Sequence, residues 1–147
     1  GIESLRDVNA EQFTHWDEYI PETPRRRARH VIGENERVLA FRDACERHDK
    51  PEMGSLFYRS HKSMRDDYEI SCEEIDFLVE TAMALEGCHG ARMTGGGFGG
   101  CTVNLLRPDA VERFRSAMDG AYRKRFGITP VFYECHPAAG ARELAIA

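Results

Sequence analysis

No apolar run in the 147 residues approaches the roughly 20 consecutive residues that span a bilayer, so no membrane partner is expected. No C-x-x-C pair occurs either. The five cysteines (Cys45, Cys72, Cys88, Cys101 and Cys135) are odd in number and widely spaced. That pattern argues against a disulfide framework and reads as reduced thiols of a cytoplasmic protein. Neither sign of charge is concentrated. The net charge of −5 is spread along the chain, and no basic face exists of the kind that neutralises phosphates, so no nucleic-acid partner is expected. Internal repeats and low-complexity segments are also missing. The opening Gly1-Ile2-Glu3-Ser4-Leu5-Arg6-Asp7 has no initiator Met and no basic-then-apolar leader. It fits a chain cut from something longer, and a trimmed recombinant chain opens the same way.

What is present is the composition of a globular protein, with 41% hydrophobic and 31% charged residues. The length suits one domain over residues 1–147 with a core of its own. A short helix is expected over 9–19, with Phe13 and Trp16 on one face. Thr23 is expected to cap a second helix that has Pro24 in its first position and runs to about Asp49. Its apolar residues Ala28, Val31, Ile32, Val38, Leu39 and Cys45 recur at helical spacing. Arg25, Arg26, Arg27 and Arg29 sit in its first turns, against the helix dipole. Two readings of them stand: a solvated or ion-paired helix start, or a patch that meets a neighbouring domain.

A third helix spans 52–66, with Met53, Leu56, Phe57, His61 and Met64 on one side. His61 reads as a hydrogen-bonded interior histidine rather than a ligand or base. Asp66 and Asp67 are adjacent, and on a helix adjacent side chains diverge by about 100°, so they read as solvated or capping groups. Ser71 and Glu74 form a capping box for a helix through about Glu86, buried through Ile75, Leu78, Val79, Ala82 and Leu85. Strands follow at 90–93, 101–106 and 128–135, the last closed by Pro137. A helix opened by Pro108 and Asp109 and stopped by Gly127 lies between the last two. Helices first and then β-loop-β-α-β predicts an α+β fold, with helices on one face of a small, mostly antiparallel sheet.

Between the first two strands stand five glycines in six positions, Gly95-Gly96-Gly97-Phe98-Gly99-Gly100. Glycine reaches positive φ freely and lets other atoms come close to the main chain. A run of such amides makes a concavity for phosphate. A flexible hairpin, or a loop thinned for internal packing, is the bland alternative. The dinucleotide fingerprint fails because a strand rather than a helix follows. The P-loop fails because Cys101-Thr102 stands where Gly-Lys-Ser/Thr is needed. The protein-kinase loop fails because no V-A-I-K, H-R-D or D-F-G follows. Arg92, just before the loop, reads as an anion contact or, more ordinarily, as half of a salt bridge. A zinc site from Cys88, His89, Cys101, Cys135 and His136 is disfavoured by spacings that match no zinc pattern.

The stretch Gly90-Ala91-Arg92-Met93-Thr94-Gly95-Gly96-Gly97-Phe98-Gly99-Gly100-Cys101-Thr102-Val103 resembles the third motif of the GHMP kinases, in the form seen in galactokinases. Ser4-Leu5-Arg6-Asp7-Val8, Arg26-Arg27-Ala28-Arg29-His30-Val31, Ser60-His61-Lys62-Ser63-Met64-Arg65-Asp66-Asp67-Tyr68 and Pro137-Ala138-Ala139-Gly140-Ala141 resemble the same family in the same order. The resemblance implies the family's C-terminal domain, a ferredoxin-like α/β plait, as part of a two-domain sugar kinase. Such kinases transfer the γ-phosphoryl group of ATP to the anomeric hydroxyl of galactose.

By the same resemblance, Thr94, Gly95, Gly96, Gly97, Phe98, Gly99 and Gly100 contact the nucleotide phosphates, as ATP with Mg. The catalytic base, the Mg ligands and most sugar contacts are expected from an N-terminal domain. The family's second motif, roughly P-x-G-x-G-S-S-A-S, is not found in these residues. No residue here is therefore expected to be the catalytic base, and the isolated chain is expected to be inactive. A non-catalytic sugar and nucleotide sensor on the same scaffold, or a kinase for a related sugar such as N-acetylgalactosamine, remain alternatives.

Overall fold

The structure is a computed structural model and describes residues 2–136 and Gly140. Its elements run in the order α1 (Ala10–Thr14), α2 (Glu22–Glu46), α3 (Lys50–Ser63), α4 (Glu73–Ala84), β1 (Cys88–Thr94), β2 (Cys101–Leu106) and α5 (Val111–Phe126). This is the expected α+β arrangement, with helices packed on a small antiparallel sheet. The Pro137 to Ala141 stretch lies outside the described residues except for Gly140.

The N-terminal segment is fixed locally before it packs. The Asp7 carboxylate accepts the amides of Ser4 and Glu3 at 2.8 and 2.9 Å, and these bonds hold its pKa below the usual value. Asn9 and Gln12 form a reciprocal capping box on α1. Val8, Phe13 and Ile32 then bury one another, with Ile20 and Ala28 at the edge. Trp16 falls beyond the end of α1 and is exposed, so the face expected for 9–19 is split.

Helix α2 starts two residues earlier than expected. Pro21 is its cap position and no side chain caps it, so Thr23 and Pro24 lie inside the first turn. The arginines are ion-paired. Arg25 bonds Glu22 within the turn, while Arg26 and Arg27 reach across the fold to Glu69. Val38 and Leu39, expected on the buried face, are exposed, because α3 covers only the side of α2 that carries Ile32 and Ala44.

Helix α3 is capped by Asp49, whose carboxylate accepts the Glu52 amide at 3.1 Å. It crosses β1 at van der Waals distance. A Cβ on Gly54 would lie 1.8 Å from the His89 carbonyl oxygen, and one on Gly90 would lie 2.3 Å from the Gly54 backbone. The chain beyond Ser63 widens into one π turn, Met64–Tyr68, and ends at Glu69 in the left-handed region, φ 57°. Its carbonyls at Asp66 and Asp67 have no further turn to accept. The guanidinium groups of Arg26 and Arg27 donate to them.

Helix α4 begins at Glu73 behind an extended Cys72. Ser71 is not the cap: its hydroxyl donates to Asp76 Oδ1 at 2.5 Å instead. The buried face of α4 is as the spacing predicts, and its Val79 and Ala82 close with Phe114 and Met118 of α5 on Ala91 of β1. Strands β1 and β2 pair antiparallel in register Arg92↔Val103 and Thr94↔Cys101, with an irregularity between Cys88 and Gly90. The third strand expected at 128–135 is not formed. Gly127 stops α5 at φ 70°, and the following segment leaves Ile128, Val131 and Tyr133 exposed. Phe132 alone returns to the core, under the Arg115 guanidinium at 5.6 Å.

Candidate functional site

The β1–β2 pairing brings Thr94 and Cys101 side by side and sends the glycine segment out as a hairpin loop. Gly95, Gly97, Gly99 and Gly100 have φ of 94°, 88°, 132° and 101°, which side chains on L-residues rarely tolerate. Phe98 is the one non-glycine there at positive φ, 58°, and its ring is 75% exposed. Internal packing explains Gly97 as well: a Cβ there would lie 2.5 Å from the Ile70 carbonyl oxygen. The Phe98 N–H donates to that same oxygen at 2.7 Å, tying the loop to the segment before α4.

Gly96 is different. Its φ lies outside the left-handed region, and a Cβ would meet nothing within 4 Å. Neither backbone conformation nor internal contact among the described residues calls for glycine at that position. Gly95 and Gly99 are equally bare on their outer side. The bland alternative of a loop thinned for packing accounts for Gly97 and stops there.

Each neighbouring candidate has a partner. Arg92 pairs with Glu34 at 3.2 Å and donates to the Met93 carbonyl at 3.1 Å, so it is half of a salt bridge. Burial alone would push the Glu34 carboxyl up, but the Ser60 hydroxyl, Arg37 and Arg92 outweigh it and hold it below the usual value. Asp66 takes Lys62 at 2.7 Å and Arg65 at 2.8 Å, whereas Asp67 takes Ser63 at 2.9 Å. The two carboxylates thus diverge into separate partners. His30 stacks on Tyr68 with centroids 4.6 Å apart and meets Ser63 Oγ at 3.1 Å.

His61 is fully buried, as its apolar stripe predicts, but it is not hydrogen-bonded. Its Nε2 lies 3.2 Å from Asp76 Oδ1, off the geometry of a hydrogen bond. Burial pushes its pKa down, against the partial pull of Asp76. The interior reading holds, and the ring faces Asp76, whose Oδ1 also accepts the Ser71 hydroxyl.

A cavity of about 580 Å³ lies between α1, α2 and α3, floored by Phe13 and Ile32 and rimmed by Arg29, Arg37, Arg59 and Lys62. None of Thr94 to Gly100 lines it, and Arg37 and Lys62 already pair with Glu34 and Asp66. The glycine loop stands apart from this groove. Its bare outer face fits a phosphate group, although the Phe98 amide is already committed to Ile70. A magnesium ion finds no such fit: among the described residues no group of three or more His, Cys, Asp or Glu is placed to hold a metal. All five cysteines are free thiols. What sequence reasoning missed is the support of the loop, Glu69 and Ile70. The only signal was the break between two helical periods.

Fold and loop together define an α+β domain with a glycine hairpin whose outer side is bare. Residues 41–124 match the family described as GHMP kinases, C terminal, and the chain belongs to that family. It is 46% identical to the galactokinase of Roseiflexus sp. (strain RS-1) and 43% identical to the galactokinase of Homo sapiens. Those matches cover 95% and 99% of this chain, and 36% of each relative. The chain thus spans a little over a third of their length. Among solved structures it is similar to Lactococcus lactis galactokinase complexed with galactose. The TM-score is 0.87 and the identity 40%, over 90% of this chain and 34% of that one. No helix among the described residues is long and apolar enough to cross a membrane.

Proposed function

We propose that the chain is the C-terminal portion of a two-domain, cytoplasmic galactose kinase, and that Thr94 to Gly100 form one wall of its nucleotide-phosphate site. The observation that carries the proposal is Gly96, a glycine whose own fold does not ask for one. The galactokinase relatives, matched along nearly the whole chain, supply the substrate class. Bound ATP supplies the γ-phosphoryl group, which passes to the anomeric hydroxyl of galactose.

This chain's part is to bind and orient. Phosphoryl transfer is catalysed chiefly by positioning and electrostatic stabilisation. Backbone N–H groups held by a hairpin offer donors that need no rearrangement when charge develops on the phosphate oxygens. The chain contributes one wall only. The general base, the Mg ligands and most sugar contacts are assigned to the N-terminal portion, which also covers the outer face of the loop.

The test is complementation. Residues 1–147 alone should not phosphorylate galactose. The same chain fused behind the N-terminal portion of the Roseiflexus relative should regain activity. Turnover by 1–147 alone at an ordinary enzymatic rate would overturn the reading.

A further inference from the structure

The loop does not hold itself in place. Apart from the strand pair at its base, its described anchor is the Ile70 carbonyl, which accepts the Phe98 N–H at 2.7 Å. Ile70 belongs to a four-residue link, Glu69 to Cys72, between the π turn and α4. Its first three residues are each fixed from a different direction. Ser71 donates to Asp76 at 2.5 Å. The Ile70 amide donates to the Met64 carbonyl at 3.1 Å, and the Ile70 side chain packs on Met64, Ile75 and Met93. Glu69 stands at φ 57° and ψ 47°, a conformation that L-residues other than glycine, asparagine and aspartate seldom adopt. Its carboxylate accepts from both Arg26, at 2.5 Å, and Arg27. Those arginines at once bond the carbonyls of Asp66 and Asp67, so the strained residue and the turn before it are both tied to the start of α2.

We infer that Glu69 is a positioning residue for the glycine loop: its two arginine contacts hold the link so that the Ile70 carbonyl fixes Phe98, and with it the path of Gly95 to Gly100. The inference rests on the reading of that loop as a nucleotide-phosphate wall. It gives the arginines of α2 a role beyond solubility. Ordinary surface pairs contribute little, but this one determines the position of a backbone atom that touches the loop. Because the guanidinium groups hold the Glu69 pKa below the usual value, the clamp stays charged throughout the neutral range.

The experiment uses full-length protein carrying Glu69→Gln, Glu69→Asn or Glu69→Asp. Asparagine suits the left-handed backbone and removes the charge, so it separates the clamp from folding. For Gln and Asn, KM for ATP is expected to rise about tenfold, with KM for galactose unchanged, and Asp should recover part of the loss. Amide exchange of the peptide containing Phe98 should accelerate about tenfold, while that of α4 around Val79 should not change. Unaltered Phe98 exchange in Glu69→Asn overturns the inference whatever the kinetics. Faster exchange with KM for ATP unchanged overturns it too. A Gly96→Ala control tells the two failures apart. If that control raises KM for ATP and the Glu69 variants do not, only the positioning role falls. If the control is also flat, the nucleotide reading of the loop falls with it.

Discussion

Alanine at Gly96 and alanine at Gly97 are neighbouring, chemically identical changes, and the structure assigns them opposite consequences. At Gly97 the new Cβ would lie 2.5 Å from the Ile70 carbonyl oxygen, where ordinary contact begins near 3.4 Å, and φ is 88°. The backbone conformation costs roughly 1–2 kcal/mol for a residue with a Cβ, and overpacking against main chain roughly 1–3 more. Gly97→Ala should therefore lower unfolding free energy by about 2–5 kcal/mol, or detach the loop from Ile70. At Gly96 neither cost applies. Removing a flexible residue from the unfolded chain should instead stabilise the protein by about 0.4–1 kcal/mol. The methyl group nevertheless projects into the space assigned to phosphate. A misplacement of ~1 Å at a reacting group costs up to ~100-fold, so KM for ATP should rise by about 10- to 100-fold. Urea denaturation and ATP-dependent kinetics of the two full-length variants check both halves. A Gly96→Ala enzyme with unchanged ATP kinetics would refute the assignment of the loop. A Gly97→Ala protein as stable as its parent would refute the packing account.

Two further predictions concern the scaffold. Gly54→Ala puts a Cβ 1.8 Å from the His89 carbonyl and forces α3 off β1, so it should cost about 3 kcal/mol or more, read as a lowered denaturation midpoint. Acidification should also destabilise the protein. His61 and His30 are both held neutral by burial, with pKa values below the ordinary 6.5, so between the folded and unfolded values the unfolded chain binds more protons. Their contribution is complete above pH 6.5 and is lost as pH falls, at up to about 1.4 kcal/mol per pH unit for each histidine. Denaturation curves from pH 7.5 to 5 check this. A His61→Gln variant should flatten the slope, and a wild-type protein with no slope over that range would contradict it.

The amino-acid sequence determined what depends on near neighbours. The buried stripes of α4 and α5 follow from a period of 3.6, and the β1–β2 hairpin follows from the change of period around a block of glycines. The position of the loop was legible for the same reason. Tertiary structure decided everything that depends on which surfaces meet. Arg26 and Arg27 find Glu69 more than 40 positions away only because α2 crosses the end of the π turn. Val38 and Leu39 share the spacing of core residues, yet α3 does not cover them. Ser71 has the form of a helix cap, and Asp76 claims its hydroxyl. The stretch 128–135 has the composition of a strand, but a strand exists only when another edge pairs with it, and that pairing is not a local property.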